Sequence, residues 1–585
     1  MNLDAGLDGV ERQLLDAIQS ENLLAYTAEI AREPRLSGSA EELRAFRYIA
    51  EQLTSWGLQP KLQFHDGFVS WPRHASLQVA GLADIECITH SMSASTEATS
   101  GEIAYVGAGR AADYSGRDVA GKIVLIEGLA APVAVREAIR QGSSAQIFIN
   151  DGHVHEMITS AVWGNPTPDE LSELPTTPCV SVTAAGGNRI KERLQQGATV
   201  ATLTTRVDTG WRSLPLLSVD IEAPADPDKF VLFSGHVDSW HLGAMDNGGA
   251  NACMMEIARL MHRQRHTLER SLRICFWSGH SHGRYAGSAW YADRCWDELR
   301  RNCVAHVYID SVGGKGATLL SQGFAMSETR DLGQAVIGRH AGAEFEGTRP
   351  TRSGDQSFIS LGIPSLLMTV SEQPPAAGGA VGPSALIGGR SGGLGYWWHT
   401  VEDTVDKLDP AFLARDCRLY LATLYRLCAE KVLPFNYERT ADELLRFLED
   451  YQRKAAGRFD LSPALSRART LREQAAGFSS QVEALRSGRG DRAAAASDRV
   501  GRANEAMIEL GRALIPVNYT TRGPFGQDLA LPIDPVPALA GIKTLAGLDP
   551  GSPAEKHLKV ELVRRRNMVC HALDQALAVL TERQR

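Results

Sequence analysis

Phe230-Val231-Leu232-Phe233-Ser234-Gly235-His236-Val237-Asp238, closely followed by Gly243-Ala244-Met245-Asp246-Asn247-Gly248-Gly249, has the texture of a strand running into a loop and then a helix. Phe230 to Ser234 is an apolar run of strand length, and Ala250 to Met261 has the apolar spacing of a helix. Leu272 to Trp277 supplies the next strand. Alternation of this kind predicts an α/β sheet flanked by helices, whose binding crevice lies beyond the carboxyl ends of its strands. His236 and Asp246 are expected at that edge.

Two further candidates sit at comparable places. The short strand Val307-Tyr308-Ile309 ends in Asp310, and Trp397-Trp398-His399-Thr400 supplies a second histidine. One such residue alone is ordinarily structural. Mixed histidine and aspartate side chains gathered at successive strand ends suit zinc and related divalent ions.

Either side of this core the texture changes. Residues 8–56 read as helical, with Leu14, Ile18, Leu24 and Ile30 on the apolar face and a break at Pro34-Arg35-Leu36-Ser37-Gly38-Ser39. From about 75 to 212 short β-rich runs alternate with Gly, Asp and Pro, which predicts a separate β-rich module. Beyond residue 436 the chain is helical again, from Thr440 to Leu514 and from Ala554 to Arg583, around a Pro-rich connection from Pro516 to Pro537. Arg489-Gly490-Asp491 reads as a solvated turn, Gly107-Ala108-Gly109 as a turn without a dinucleotide fingerprint, and Asn518-Tyr519-Thr520 as a sequon that matters only in a secreted protein.

The 585 residues exceed what a single core serves and, at roughly 150 residues each, suggest three or four domains. A formal charge of −8 with no dense Lys/Arg run gives nucleic acid or an anionic membrane nothing to hold, so a small substrate is expected. The acidic start from Met1 to Gln13 is unlike a signal peptide and no run reaches membrane-spanning length, so a cytoplasmic protein is expected. Nine cysteines without a C-x-x-C pair fit reduced, buried thiols.

The run Gly235-His236-Val237-Asp238 to Gly243-Ala244-Met245-Asp246-Asn247, with ten residues from His236 to Asp246, resembles the metal-binding signature of the M28 family of zinc metallopeptidases. Gly287-Ser288, Asp310, Ser353-Gly354-Asp355-Gln356-Ser357-Phe358, Gly362-Ile363-Pro364-Ser365 and His399-Thr400 follow in family-like order. Asp118 to Ile126 resembles the protease-associated domain of larger members. Ala513-Leu514-Ile515-Pro516-Val517-Asn518-Tyr519 resembles the dimerisation domain of the glutamate carboxypeptidase II and transferrin receptor branch. The resemblance implies a zinc-aminopeptidase-like mixed sheet in residues 1–75 and 213–435, a protease-associated-like β-rich domain in 76–212, and a helical dimerisation-like domain in 436–585.

It also implies two adjacent metals bridged by Asp246, one held by His236 and Asp310 and the other by His399, with Asp238 orienting His236 from behind. In the family a Glu-Glu pair supplies the general base and a further ligand. Counting back from Gly287, those places hold Ser281 and His282, within Gly279-His280-Ser281-His282-Gly283. His282 is therefore the expected ligand, with Ser281 hydrogen-bonding water or substrate and His280 shuttling a proton. A frame shifted by two residues puts His280 in the ligand role instead.

Replacing a carboxylate by a neutral imidazole weakens the case for two ions. One tightly held zinc with a weaker second site is expected, iron or manganese being alternatives. The function this implies is hydrolysis of an amide or peptide-like small substrate by metal-activated water. A non-hydrolytic metalloenzyme is the alternative: an Fe(II) oxygenase using Asp246, His282 and His399, or a lyase. A non-catalytic binding protein is the second alternative. The Gly/Pro/Ala-rich stretch from Glu372 to Gly395 is expected as an edge of the site.

The apolar stripes of the C-terminal helices exceed what an appendage hides, so a homodimer is expected. Sedimentation at micromolar concentration should show a dimer; a monomer would contradict it.

Overall fold

Asp226–His236 is buried on both faces from Phe230 onward, which is why its sequence reads as an unbroken apolar run rather than an alternating one. The computed structural model describes residues 7–321, 323–375, 393–487 and 493–583. Its strands are β1 (Lys61–Val79), β2 (Ile88–Thr89), β3 (Thr96–Tyr105), β4 (Ile123–Glu127), β5 (Ala145–Asn150), β6 (Cys179–Thr183), β7 (Val200–Ile221), β8 (Asp226–His236), β9 (Arg270–Trp277), β10 (Cys303–Tyr308) and β11 (Ser365–Leu366). They form one 11-stranded sheet in the order β11-β10-β8-β9-β7-β3-β4-β5-β6-β2, with β1 paired to β7.

Strands β8, β9, β10 and β11 run parallel, so their carboxyl ends open on one edge. The register sets His236 beside Trp277 and Ser234 beside Tyr308. Gly235 lets β8 come this close: a Cβ there would meet Met254 Sδ at 2.8 Å and the Ile309 carbonyl at 3.0 Å. The helix Ala250–Arg263 then packs back on the sheet with its buried face of Cys253, Met254, Ile257 and Met261.

The region 76–212 is less purely β than its sequence suggests. Strands β3 to β6 are parallel neighbours, and parallel neighbours need crossovers. The helix Pro132–Arg140 lies in the crossover from β4 to β5, and the helix Ala184–Gln195 leads from β6 to β7. The region is also continuous with the rest of the sheet. β1 and β7 pair from Lys61↔Ser218 to Val79↔Ala201, and β7 bonds β9 at one end and β3 at the other. Gly107 and Gly109 both adopt positive φ, in keeping with the turn expected there.

At the amino end, Leu7–Asp16, Ser20–Ile30 and Ala40–Ser55 are helices, the last capped by Ser39, whose hydroxyl accepts from the Glu42 N–H. The break between the last two contains Arg35, which is fully buried. Its guanidinium donates to the carbonyls of Ile30 (2.9 Å), Val237 (2.8 Å), Leu242 (2.7 Å) and Gly243 (3.0 Å), tying the break to the loop after β8.

At the carboxyl end the helices Tyr437–Ala455, Ser462–Arg486, Ala493–Tyr519 and Pro553–Arg583 share one apolar core with the helices around the sheet. The helix to Tyr519 runs through Pro516, which sits in its last turn. Asn518 is fully buried and its amide donates to Glu443 at 2.9 Å, so the sequon is part of the core. Arg489-Gly490-Asp491 lies outside the described residues, as do residues 376–392 of the stretch from Glu372 to Gly395. All nine cysteines are unpaired. No helix among the described residues is long and apolar enough to cross a membrane. Val560, Val563 and Met568 on the last helix are exposed.

Removing the Arg35 guanidinium strands carbonyls that have no water to turn to. Arg35→Met should lower stability by about 3 kcal/mol, seen as an earlier urea midpoint. An unchanged midpoint would contradict the clamp.

Candidate metal centre

His236, the last residue of β8, is fully buried. Its Nδ1 bonds the main-chain oxygen of Asp238 at 2.8 Å, which turns Nε2 toward Asp246 Oδ1 at 3.2 Å and Asp310 Oδ1 at 3.6 Å. That Nε2 makes no hydrogen bond of proper geometry. Burial works to lower the His236 pKa, but Asp310 and Asp246 outweigh it and hold it well above the ordinary value.

Asp246 connects the two sides. Its other oxygen lies 3.1 Å from His399 Nε2, and its main-chain N–H, with that of Met245, donates to the buried carboxyl of Asp403. Burial pushes Asp403 up to about 7. Asp310 accepts from the Tyr308 hydroxyl at 2.8 Å and the Ser311 hydroxyl at 2.9 Å.

His280 lies flat on His236, ring centres 3.8 Å apart and planes within 12°. Its Nδ1 is 2.7 Å from Asp355 Oδ2, while Asp355 Oδ1 accepts from Ser288 at 2.6 Å. A carboxylate behind an imidazole fixes the tautomer and presents the other nitrogen. Ligand atoms of His236, His280 and Asp310 lie within 4.8 Å of one another.

Asp238 supports this set through its main chain and its carboxylate separately. The carboxylate accepts from His280 N at 3.2 Å, Ser281 N at 2.7 Å and the Ser37 hydroxyl at 2.8 Å, and stays 3.7 Å from His236 Nδ1. It orients the loop after β9, while its carbonyl orients His236.

His399 is held by the region 76–212. Its Nδ1 donates to the Glu156 carbonyl at 2.7 Å, the Glu156 N–H returns a bond to His399 O at 2.9 Å, and His155 Nδ1 reaches the Trp398 carbonyl at 2.6 Å. Burial raises the Glu156 carboxyl to about 8.

Residues 218–424 match Peptidase family M28. They form an M28 peptidase domain. The probable glutamate carboxypeptidase VP8 of Zea mays is 23% identical over 70% of this chain and 67% of its own length; the probable glutamate carboxypeptidase AMP1 of Arabidopsis thaliana is 21% identical over 52% and 53%. The chain thus spans about two thirds of one relative and about half of the other. The fold is shared with an aminopeptidase from Aneurinibacillus sp. strain AM-1, at TM-score 0.54 and 23% identity over 72% of this chain and 96% of that one.

Of the side chains expected from the M28 resemblance, His236, Asp246, Asp310 and His399 converge. His282 is placed elsewhere: its Nδ1 is 3.0 Å from Ser37 Oγ, its ring lies against Trp240, and burial pushes its pKa down to about 4. It is not among the residues lining the adjacent cavity of about 130 Å³, whereas His280 and Ser281 are. The histidine that joins the set is the one from the frame shifted by two residues. Arg35, Glu156, Ser288, Asp355 and Asp403 were given no role from sequence.

His280→Ala should weaken zinc binding about tenfold to a hundredfold, and His282→Ala should leave zinc stoichiometry unchanged. Elemental analysis of both purified proteins checks this; the reverse result would restore His282 as the ligand.

Proposed function

We propose that this chain is a metal-dependent hydrolase of an amide bond in a small, peptide-like substrate. The observation that carries it is the convergence of two carboxylates, Asp246 and Asp310, on the orphaned Nε2 of buried His236, with His280 and His399 completing the surround. Among the described residues lining the cavity the sole Lys or Arg is Arg284, and it bonds the carbonyls of Ile158 and Ser160. The donor set is that of a divalent cation, zinc first.

A bound ion of this kind polarises a carbonyl and makes water a better nucleophile near neutral pH. The residues divide the remaining work. His236, His280 and Asp310 would hold one ion, and Asp246 would reach from it toward His399. Asp355 keeps the Nδ1 side of His280 occupied, so that Nε2 faces the cavity. Ser281, whose N–H is anchored on Asp238, would offer its hydroxyl to substrate or water. With His280 where the family has carboxylate, one tightly held ion is expected.

A second reading has its own support, because His236, His280 and Asp310 are two histidines and one carboxylate, the set of mononuclear iron oxygenases. The inserted region as a protease-associated-like domain and a homodimer through the last helix, where Val560, Val563 and Met568 are exposed, belong to the same proposal.

The test is elemental analysis of the purified chain with an amide-hydrolysis assay before and after chelation. Hydrolysis lost on chelation and restored by zinc is expected. Oxygen consumption restored by iron would favour the second reading, and a protein that retains no metal would sink both.

A further inference from the structure

Apart from the metal-facing set, the cavity wall is largely apolar. Trp240, Tyr285, Phe324, Met368, Leu394 and Trp398 line it. Its remaining charged side chains, among the described residues, are Arg284 and Glu372.

Arg284 is turned toward protein. Its Nε donates to the Ser160 carbonyl at 3.0 Å and its Nη2 to the Ile158 carbonyl at 2.5 Å, fastening it to the inserted region. A substrate carboxylate entering here would give up its hydration against indole and phenyl rings, a costly transfer with no dedicated partner among the described residues. An aliphatic or aromatic group would instead exchange water for apolar contact.

We propose that this cavity selects an amide whose adjoining side chain or acyl group is apolar and discriminates against one bearing a carboxylate there. This rests on the reading of the cavity as the substrate site of an amide hydrolase.

Isothermal titration of the zinc-loaded full chain with N-acetyl-leucinamide and with the α-amide of N-acetyl-glutamate tests it without requiring turnover. The leucine probe should bind about tenfold or more tightly. Equal or tighter binding of the glutamate probe would overturn the proposal, and so would failure of the leucine probe to bind, whereas failure of the glutamate probe alone would support it.

Phe324→Arg, which places a cation on the wall outside the buried core, should move the ratio of the two affinities about tenfold toward glutamate. An unchanged ratio in a folded variant would mean that the probe's side chain lies elsewhere and would also overturn it. The wild-type comparison stands whether or not that variant folds. Hydrolysis of the bound leucinamide is scored separately: selective binding without hydrolysis in the zinc-loaded protein would retain the pocket assignment and reject the hydrolase.

Discussion

Like charges gathered at the end of a sheet are the constraint around which the catalytic region is arranged. Asp246 and Asp310 both face His236 Nε2, at 3.2 and 3.6 Å, and two carboxylates sharing one imidazole repel each other. The fold answers for the carboxyls behind them with fixed donors. Asp238 takes the N–H groups of His280 and Ser281, and Asp403 takes those of Met245 and Asp246. The pair in front has imidazoles, a cavity and, at Asp310, the hydroxyls of Tyr308 and Ser311.

That arrangement needs several strand ends to arrive together. Parallel pairing of β8 with both β9 and β10 delivers His236, the 279–283 loop and Asp310 to one edge, and Gly235 allows the close approach. Arg35 then fixes the loop after β8 from the other side through carbonyls alone, which is why a guanidinium with donors in several directions serves there. Burial pushes it down to about 10, and Asp403 and Asp238 work against that shift.

Much of this was legible in the sequence because it is local. The apolar runs of β8, β9 and β10 and the residues following them announce themselves by period and position, and His236, Asp246, Asp310 and His399 came from that pattern and the family spacing. The choice between His280 and His282 did not. Counting back from Gly287 assumes a fixed turn, whereas Gly279, Arg284 and Tyr285 all have positive φ here, and a loop that bends this often need not keep the frame. The partners of Arg35 and Asp355 were hidden for another reason: the Arg35–Val237 bond spans 202 residues and the His280–Asp355 pair 75, and nothing in a local pattern records either. The helices of the inserted region were missed because each is short and lies among strands.

The bond from His399 to the Glu156 carbonyl joins residues 243 apart. Contacts of such sequence separation carry a large loop-closure entropy, and chains rich in them fold slowly. The histidine side of the centre thus depends on one long-range closure, the docking of His155 and Glu156 onto Trp398 and His399. An ion that engaged His399 as well as the strand-end ligands would therefore stabilise this distant junction together with the strands beneath it.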